Sequence, residues 1–240
     1  MGPSGPMSLT AALAGCSRGG MTDDTAAELV ARARQEIAAR APANRFLELL
    51  ETGELPRERL VWLAGEEYRI VGSDRRSFAL LAARFPDSPA GELFLGLAQG
   101  EGQALILLDG FAVALGESEK NLRAYEPRPF AQAYPAYLAQ RAAFGTAGEV
   151  ALAMLANLEE WGAYCSRTAK ALRAHYGFSE EAVGFFTFFA ESPPGFEEQA
   201  LAVVAAGLAA GDDPAEIARA ARLLHAYESA FWHALVEDLP

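Results

Sequence analysis

The stretch from Asp213 to Leu239, DPAEIARAARLLHAYESAFWHALVEDL, leaves the chain the least freedom. Asp213 is a good helix cap, and Pro214 sits where a first-turn proline costs no hydrogen bond. About 25 residues follow with neither Gly nor Pro. Ile217, Ala221, Leu224, Phe231 and Leu235 recur at helical spacing, so one stripe of this helix must be covered by other helices. Close to that stripe stand Tyr227, Glu228, Phe231 and Trp232. A carboxylate among aromatics on a core-facing helix is costly to bury unless something uses it. Two readings follow: an edge glutamate in solvent beside core rings, or an acid facing an enclosed site.

The same periodicity runs through most of the chain, and alternating β-branched runs are scarce. Thr22 or Asp23 caps a helix to about Arg40, and Asn44 to Glu51 forms a short one ended by Gly53. Pro56 opens a long segment that runs to Pro86. Pro89 opens another to Gly116, with a bend or break expected at the GEGQ of Gly100 to Gln103. Residues 118–125 are helical, and Pro135 inside 130–144 predicts a kink or a local restart. Thr146 caps a helix to Tyr176, and a last one before the closing helix spans 196–210. The expectation is an all-α bundle, one domain over 22–240. Residues 1–21 are expected to be a disordered tail or an over-called start. Leu13 to Cys16 looks like a lipoprotein cleavage box, but no Lys or Arg precedes Cys16 and the apolar stretch is short.

A net charge of −12 and a pI near 4.8 argue against nucleic acid, whose binders carry basic stripes. No apolar run approaches the ~20 residues of a membrane span. Two cysteines, Cys16 and Cys165, form no disulfide framework and suit a reducing cytoplasm. Neither nucleic acid nor a membrane is expected as a partner.

Metal and nucleophile chemistry have few candidates. The only histidines are His175, His225 and His233; His225 and Glu228 could share a face, but no second His–carboxylate pair exists. No cofactor or metal is expected. A proximal haem ligand would have to be a histidine near the N-terminus, and none lies there. Cys165 is mid-helix with no His nearby in sequence, which suits an inert core thiol. Neither a Gly-x-Ser-x-Gly elbow nor a phosphate loop is present. Glu66 and Glu67 point about 100° apart on a helix, so at most one is expected to face the interior. The functional reading makes one of them, Glu66, a buried acid opposite Glu228. Asn157, Glu160, Trp161 and Tyr164 can line a common face, where Asn157 is either a satisfied core amide or a ligand partner. The phenylalanines between 185 and 189 read as core, with Phe185 reaching the ligand beside Tyr164 and Tyr227.

Tyr227-Glu228-x-x-Phe231-Trp232 resembles the closing helix of the TenA/thiaminase II family, as do Trp62 to Ala79, Ala133 to Gly145 and Ala151 to Leu172 in their order. The resemblance spans roughly residues 25 to 239. It implies a haem-oxygenase-like helical bundle with a central pocket, usually a homo-oligomer, with Glu228 as the acid/base over an aminopyrimidine. The family's pyrimidine-anchoring aspartate falls at about Gly65, with Glu66 one step later, and its tyrosine matches Tyr68. Its catalytic cysteine falls near Asn157, and an aromatic one turn on near Trp161. The chain thus resembles a divergent branch without the cysteine. The function implied is a cytoplasmic hydrolase of C–N bonds in an aminopyrimidine from thiamin breakdown. Glu228 and Glu66 would be catalytic, and Tyr68, Asn157, Trp161, Tyr164, Tyr227 and Phe185 would bind substrate. The alternatives are a non-catalytic regulatory binding protein and an oxygen-using enzyme of the same fold.

Overall fold

A computed structural model describes residues 25–40 and 42–239. Ten helices and no strand occur among them: α1 Ala26–Ala38, α2 Arg45–Thr52, α3 Arg57–Arg84, α4 Ala90–Ala114, α5 Glu119–Ala124, α6 Ala133–Phe144, α7 Ala147–Tyr176, α8 Gly184–Phe189, α9 Phe196–Ala210 and α10 Pro214–Ala234. The fold class is the expected all-α one.

The helix ends follow local chemistry. Asn44, Ser118, Thr146 and Asp213 each accept a backbone N–H as N-caps. Thr22 and Asp23, the expected caps of the first helix, lie outside the described residues, as do 1–21. Within the described residues, Thr25 and Glu28 cap α1 reciprocally. Gly53, Gly177 and Gly211 close α2, α7 and α9 in the left-handed region. Three expectations need correction. Helix α4 runs unbroken through Gly100 to Gln103, because its flanking turns are held by Leu93, Phe94, Ala104 and Leu108, all buried. Pro135 neither kinks nor interrupts a helix; it lies in the first turn of α6, where its missing N–H costs nothing. Helix α10 stops at Ala234, five residues before Leu239, and Asp238 takes a left-handed φ of 65° in the turns beyond.

The long helix α7 is the axis of the bundle, with α1, α2, α8, α9 and α10 against it. Helix α3 packs along α4 and also against α5 and α6. The apolar side chains gather in two clusters. One includes Leu63, Val71, Phe111, Phe186, Phe231 and Trp232; the other includes Leu29, Phe78, Phe94, Leu152, Val204 and Ile217. Residues of both clusters, Val71 and Phe231 from the first and Phe78 and Leu93 from the second, wall one cavity. The bundle is split there, and polar groups occupy the split.

Candidate active site

The cavity measures about 550 Å³ and takes its wall from α3, α4, α6, α7, α10 and the α8–α9 turn. Glu228 reaches it from α10. The stripe of Ile217, Ala221, Leu224, Phe231 and Leu235 is buried throughout, and Glu228, one turn from Leu224, is carried inward with it. The residue is 5% exposed. Asn157 and Trp232 stand close enough to favour the ionised form, yet neither oxygen closes a hydrogen bond. Burial dominates and raises its pKa from 4.5 to about 7.

Asn157 and Trp161 line the cavity from α7. Asn157 is buried, and its Oδ1 has no hydrogen-bond partner. Trp161 packs with its ring centroid 5.8 Å from that of Phe189, which with Phe188 closes one wall. Phe185, expected to touch the ligand, points into the core instead, edge-on to Phe186 at 5.1 Å. On a short helix only one side can face the hollow, and Phe188 and Phe189 occupy it.

Both members of the Glu66–Glu67 pair are buried, at 0% and 2% exposure, contrary to the expectation that one would be solvated. Helix α3 is covered on more than one side, by α4 and by α5 and α6, so a 100° separation still leaves both inside. Their surroundings differ. Glu66 accepts hydrogen bonds from the Tyr125 hydroxyl at 2.9 Å, the Arg128 backbone N–H at 2.7 Å and the Gln132 side-chain amide. It does not line the cavity; Glu67 does. Burial, then the charges of Asp74, Glu228 and Glu66, push the Glu67 carboxyl well above its usual range.

Tyr68 lies outside the cavity wall, half-buried, its hydroxyl donating to Glu119 at 3.4 Å. Tyr227 stacks on Tyr137 with centroids 5.2 Å apart and does not reach the cavity. Tyr164 borders a narrow cleft on the other side of Glu228 and donates to Glu160 at 2.8 Å. Glu160 also meets His225 Nε2 at 2.7 Å. His225 hydrogen-bonds Glu160 rather than Glu228, yet its charge and that of Glu228 still act on each other. Cys165 is fully buried away from the cavity, and burial pushes its thiol up.

Three wall residues were not singled out from the sequence: Asp74, Glu101 and Tyr134. Burial raises the carboxyl pKa of Asp74 and of Glu101, and Asp74's charge raises Glu101 further. Tyr134 lies within the field of all four of Asp74, Glu228, Glu101 and Glu67. A signal existed. Asp74 is three residues after Val71 and four before Phe78, and Glu101 is four after Leu97 and four before Leu105, so both stand in apolar stripes. Gly96 and Gly100 border the cavity with open space where a Cβ would be, which leaves its room unfilled.

No group of three or more His, Cys, Asp or Glu among the described residues is placed to hold a metal ion. No helix among them is long and apolar enough to cross a membrane.

Comparison with curated proteins finds no match. Solved structures share the fold at low identity. A TenA homologue from P. horikoshii superposes with a TM-score of 0.67 at 16% identity, covering 88% of this chain and 98% of that one. A domain of unknown function with a heme oxygenase-like fold from Shewanella denitrificans gives 0.70 at 14%, over 87% and 89%. A protein described as a TenA family transcription regulator from a Silicibacter species gives 0.66 at 17%, over 88% and 96%. The profile of the TENA/THI-4/PQQC family matches residues 32–238, nearly the whole chain, and the chain belongs to that family.

Proposed function

We propose that the protein is a TenA-type hydrolase that cleaves the exocyclic C–N bond of an aminomethylpyrimidine-like compound, with Glu228 as general acid and base. The observation that supports this most is the state of Glu228. It is buried, lines a cavity large enough for a small heteroaromatic ligand, lacks a closed hydrogen bond, and has a pKa near 7. A carboxyl group with that pKa populates both protonation states at neutral pH, which proton transfer in both directions requires. Protonated Glu228 gives its proton to the leaving nitrogen as the C–N bond breaks, and ammonia departs. Water then adds to the methylene carbon, and the Glu228 carboxylate takes the proton that water releases. The alcohol forms and the acid is restored. Asn157 holds substrate or water beside Glu228, and Trp161 offers its ring to the heterocycle.

A second reading is a binding protein without turnover. What favours it is position 157, where an amide stands at the place of the family's nucleophilic cysteine, while Cys165 is sealed in the core. Assaying ammonia release from aminomethylpyrimidines by wild type and E228Q separates the two. Hydrolysis that collapses in E228Q supports the enzyme. Binding without ammonia release, in both proteins, supports the second reading.

A further inference from the structure

Among the described residues, five carboxyl groups border the cavity, from Glu67, Asp74, Glu101, Glu191 and Glu228, and not one Lys, Arg or His does. Three of the five are more than nine-tenths buried: Glu67, Asp74 and Glu228. Their mutual fields link them in a row. Glu67 feels the charges of both Glu228 and Asp74, and Glu101 feels those of Asp74 and Glu67. Glu67 and Asp74 lie two turns apart on one face of α3, about 10 Å along its axis. Glu228 marks one end of the row, with Asn157 and Trp161; Asp74 and Glu101 mark the other.

The unsatisfied atoms point the same way. Around this cavity the buried side-chain atoms without a hydrogen-bond partner are Asp74 Oδ1, Asn157 Oδ1 and both oxygens of Glu228. All of these wall atoms are acceptors, at both ends of the row; an unpartnered donor beside Glu228, Trp232 Nε1, borders the narrow cleft behind it. Buried acceptors, and carboxyl groups that burial holds back from ionising, call for N–H donors and a positive charge that lets them ionise. The wall between the two ends is apolar, from Ile70, Val71, Met154 and Phe231.

We infer that the cavity takes an organic dication: two protonated nitrogen groups joined by an apolar or aromatic body, one nitrogen at Glu228 and Asn157, the other at Asp74 and Glu101. Phosphorylated and carboxylated compounds find no basic side chain in the same wall. The inference rests on the cavity being the substrate site proposed above, but not on hydrolysis taking place there.

The test is calorimetric titration of the full-length protein at pH 7.5 and fixed ionic strength. The probes are linear α,ω-diamines of four to eight carbons, the monoamines of matching length, and hexanedioate. The expected result is a preferred diamine length bound at least about tenfold more tightly than its monoamine, with no binding of hexanedioate. In D74N/E101Q that preference is lost while monoamine binding persists; if the double variant does not fold, E101Q alone reduces the preference. Equal affinity for diamine and monoamine in the wild type, or a preference unchanged in a folded variant, overturns the inference. Ammonia release from an aminomethylpyrimidine without any diamine preference sinks this inference and leaves the hydrolase standing. Diamine preference with no turnover of any aminopyrimidine does the reverse.

Discussion

The Tyr125 hydroxyl donates to Glu66 Oε1 at 2.9 Å, and the ring of the same tyrosine lies flat against Gly65. A Cβ at position 65 would overlap the Tyr125 ring, so no side chain fits there. Tyr125 and Glu66 fill that place with a closed hydrogen-bonded unit. G65A is therefore expected to lose 2 kcal/mol or more (roughly, as for other overpacked core sites), read from the denaturant midpoint. E66A strands three donors and is expected to cost about 3 kcal/mol or more. E67A, at the cavity, is expected to cost less than E66A.

The buried acids set the pH dependence of stability. The pKa of Glu228 is about 7 in the fold and 4.5 when exposed, so between these values the folded protein holds a proton that the unfolded chain does not. Its contribution to stability is complete below about pH 4.5 and is lost as pH rises through about 7. Glu67, Asp74 and Glu101 are also raised and act in the same direction. Melting curves should show E228Q more stable than wild type at pH 8, with the gap closing by pH 5. A gap that widens toward low pH contradicts the assignment.

The His225–Glu160 pair combines both directions. Its mutual hydrogen bond raises the His225 pKa above 6.5; Glu160 is lowered below 4.5 by His225 and Tyr164, against its own burial. The histidine's contribution is full below 6.5 and lost as pH rises through its folded value. The carboxylate's is full above 4.5 and lost as pH falls through its own. A double-mutant cycle of H225Q and E160Q should give a coupling of about 1 kcal/mol near pH 5.5 that shrinks by pH 8.

Cys165 is 1% exposed, and burial raises its thiol. C165A is expected to leave ammonia release within about twofold, since inert core thiols take no part in chemistry. Loss of activity in a variant with unchanged melting temperature would return a chemical role to this cysteine.

Much of this architecture was readable from local patterns. Capping residues at Asn44, Thr146 and Asp213 and glycines at 53, 177 and 211 carry short-range signals that tertiary packing did not override. The inward stripe of α10 was equally legible, because every residue in it is apolar except the one at issue. What could not be read was which helices cover α3. Glu66 and Glu67 differ only by 100°, and their separate fates depend on Tyr125, Arg128 and Gln132 arriving from about 60 residues away. Asp74 and Glu101 stand in apolar stripes, but their immediate neighbours, SDRRS and GEGQ, look solvated and mask that signal; the pairing of α3 with α4 encloses them. Tyr68 and Tyr227 belong to the right helices but point off the cavity by a fraction of a turn.

The most direct test is the steady-state kcat/KM of E228Q for an aminomethylpyrimidine, measured beside its affinity for the same compound. A drop of about 10² to 10⁴ in kcat/KM with binding retained is the predicted result. Turnover equal to that of the wild type would contradict a chemical role for the buried carboxylate.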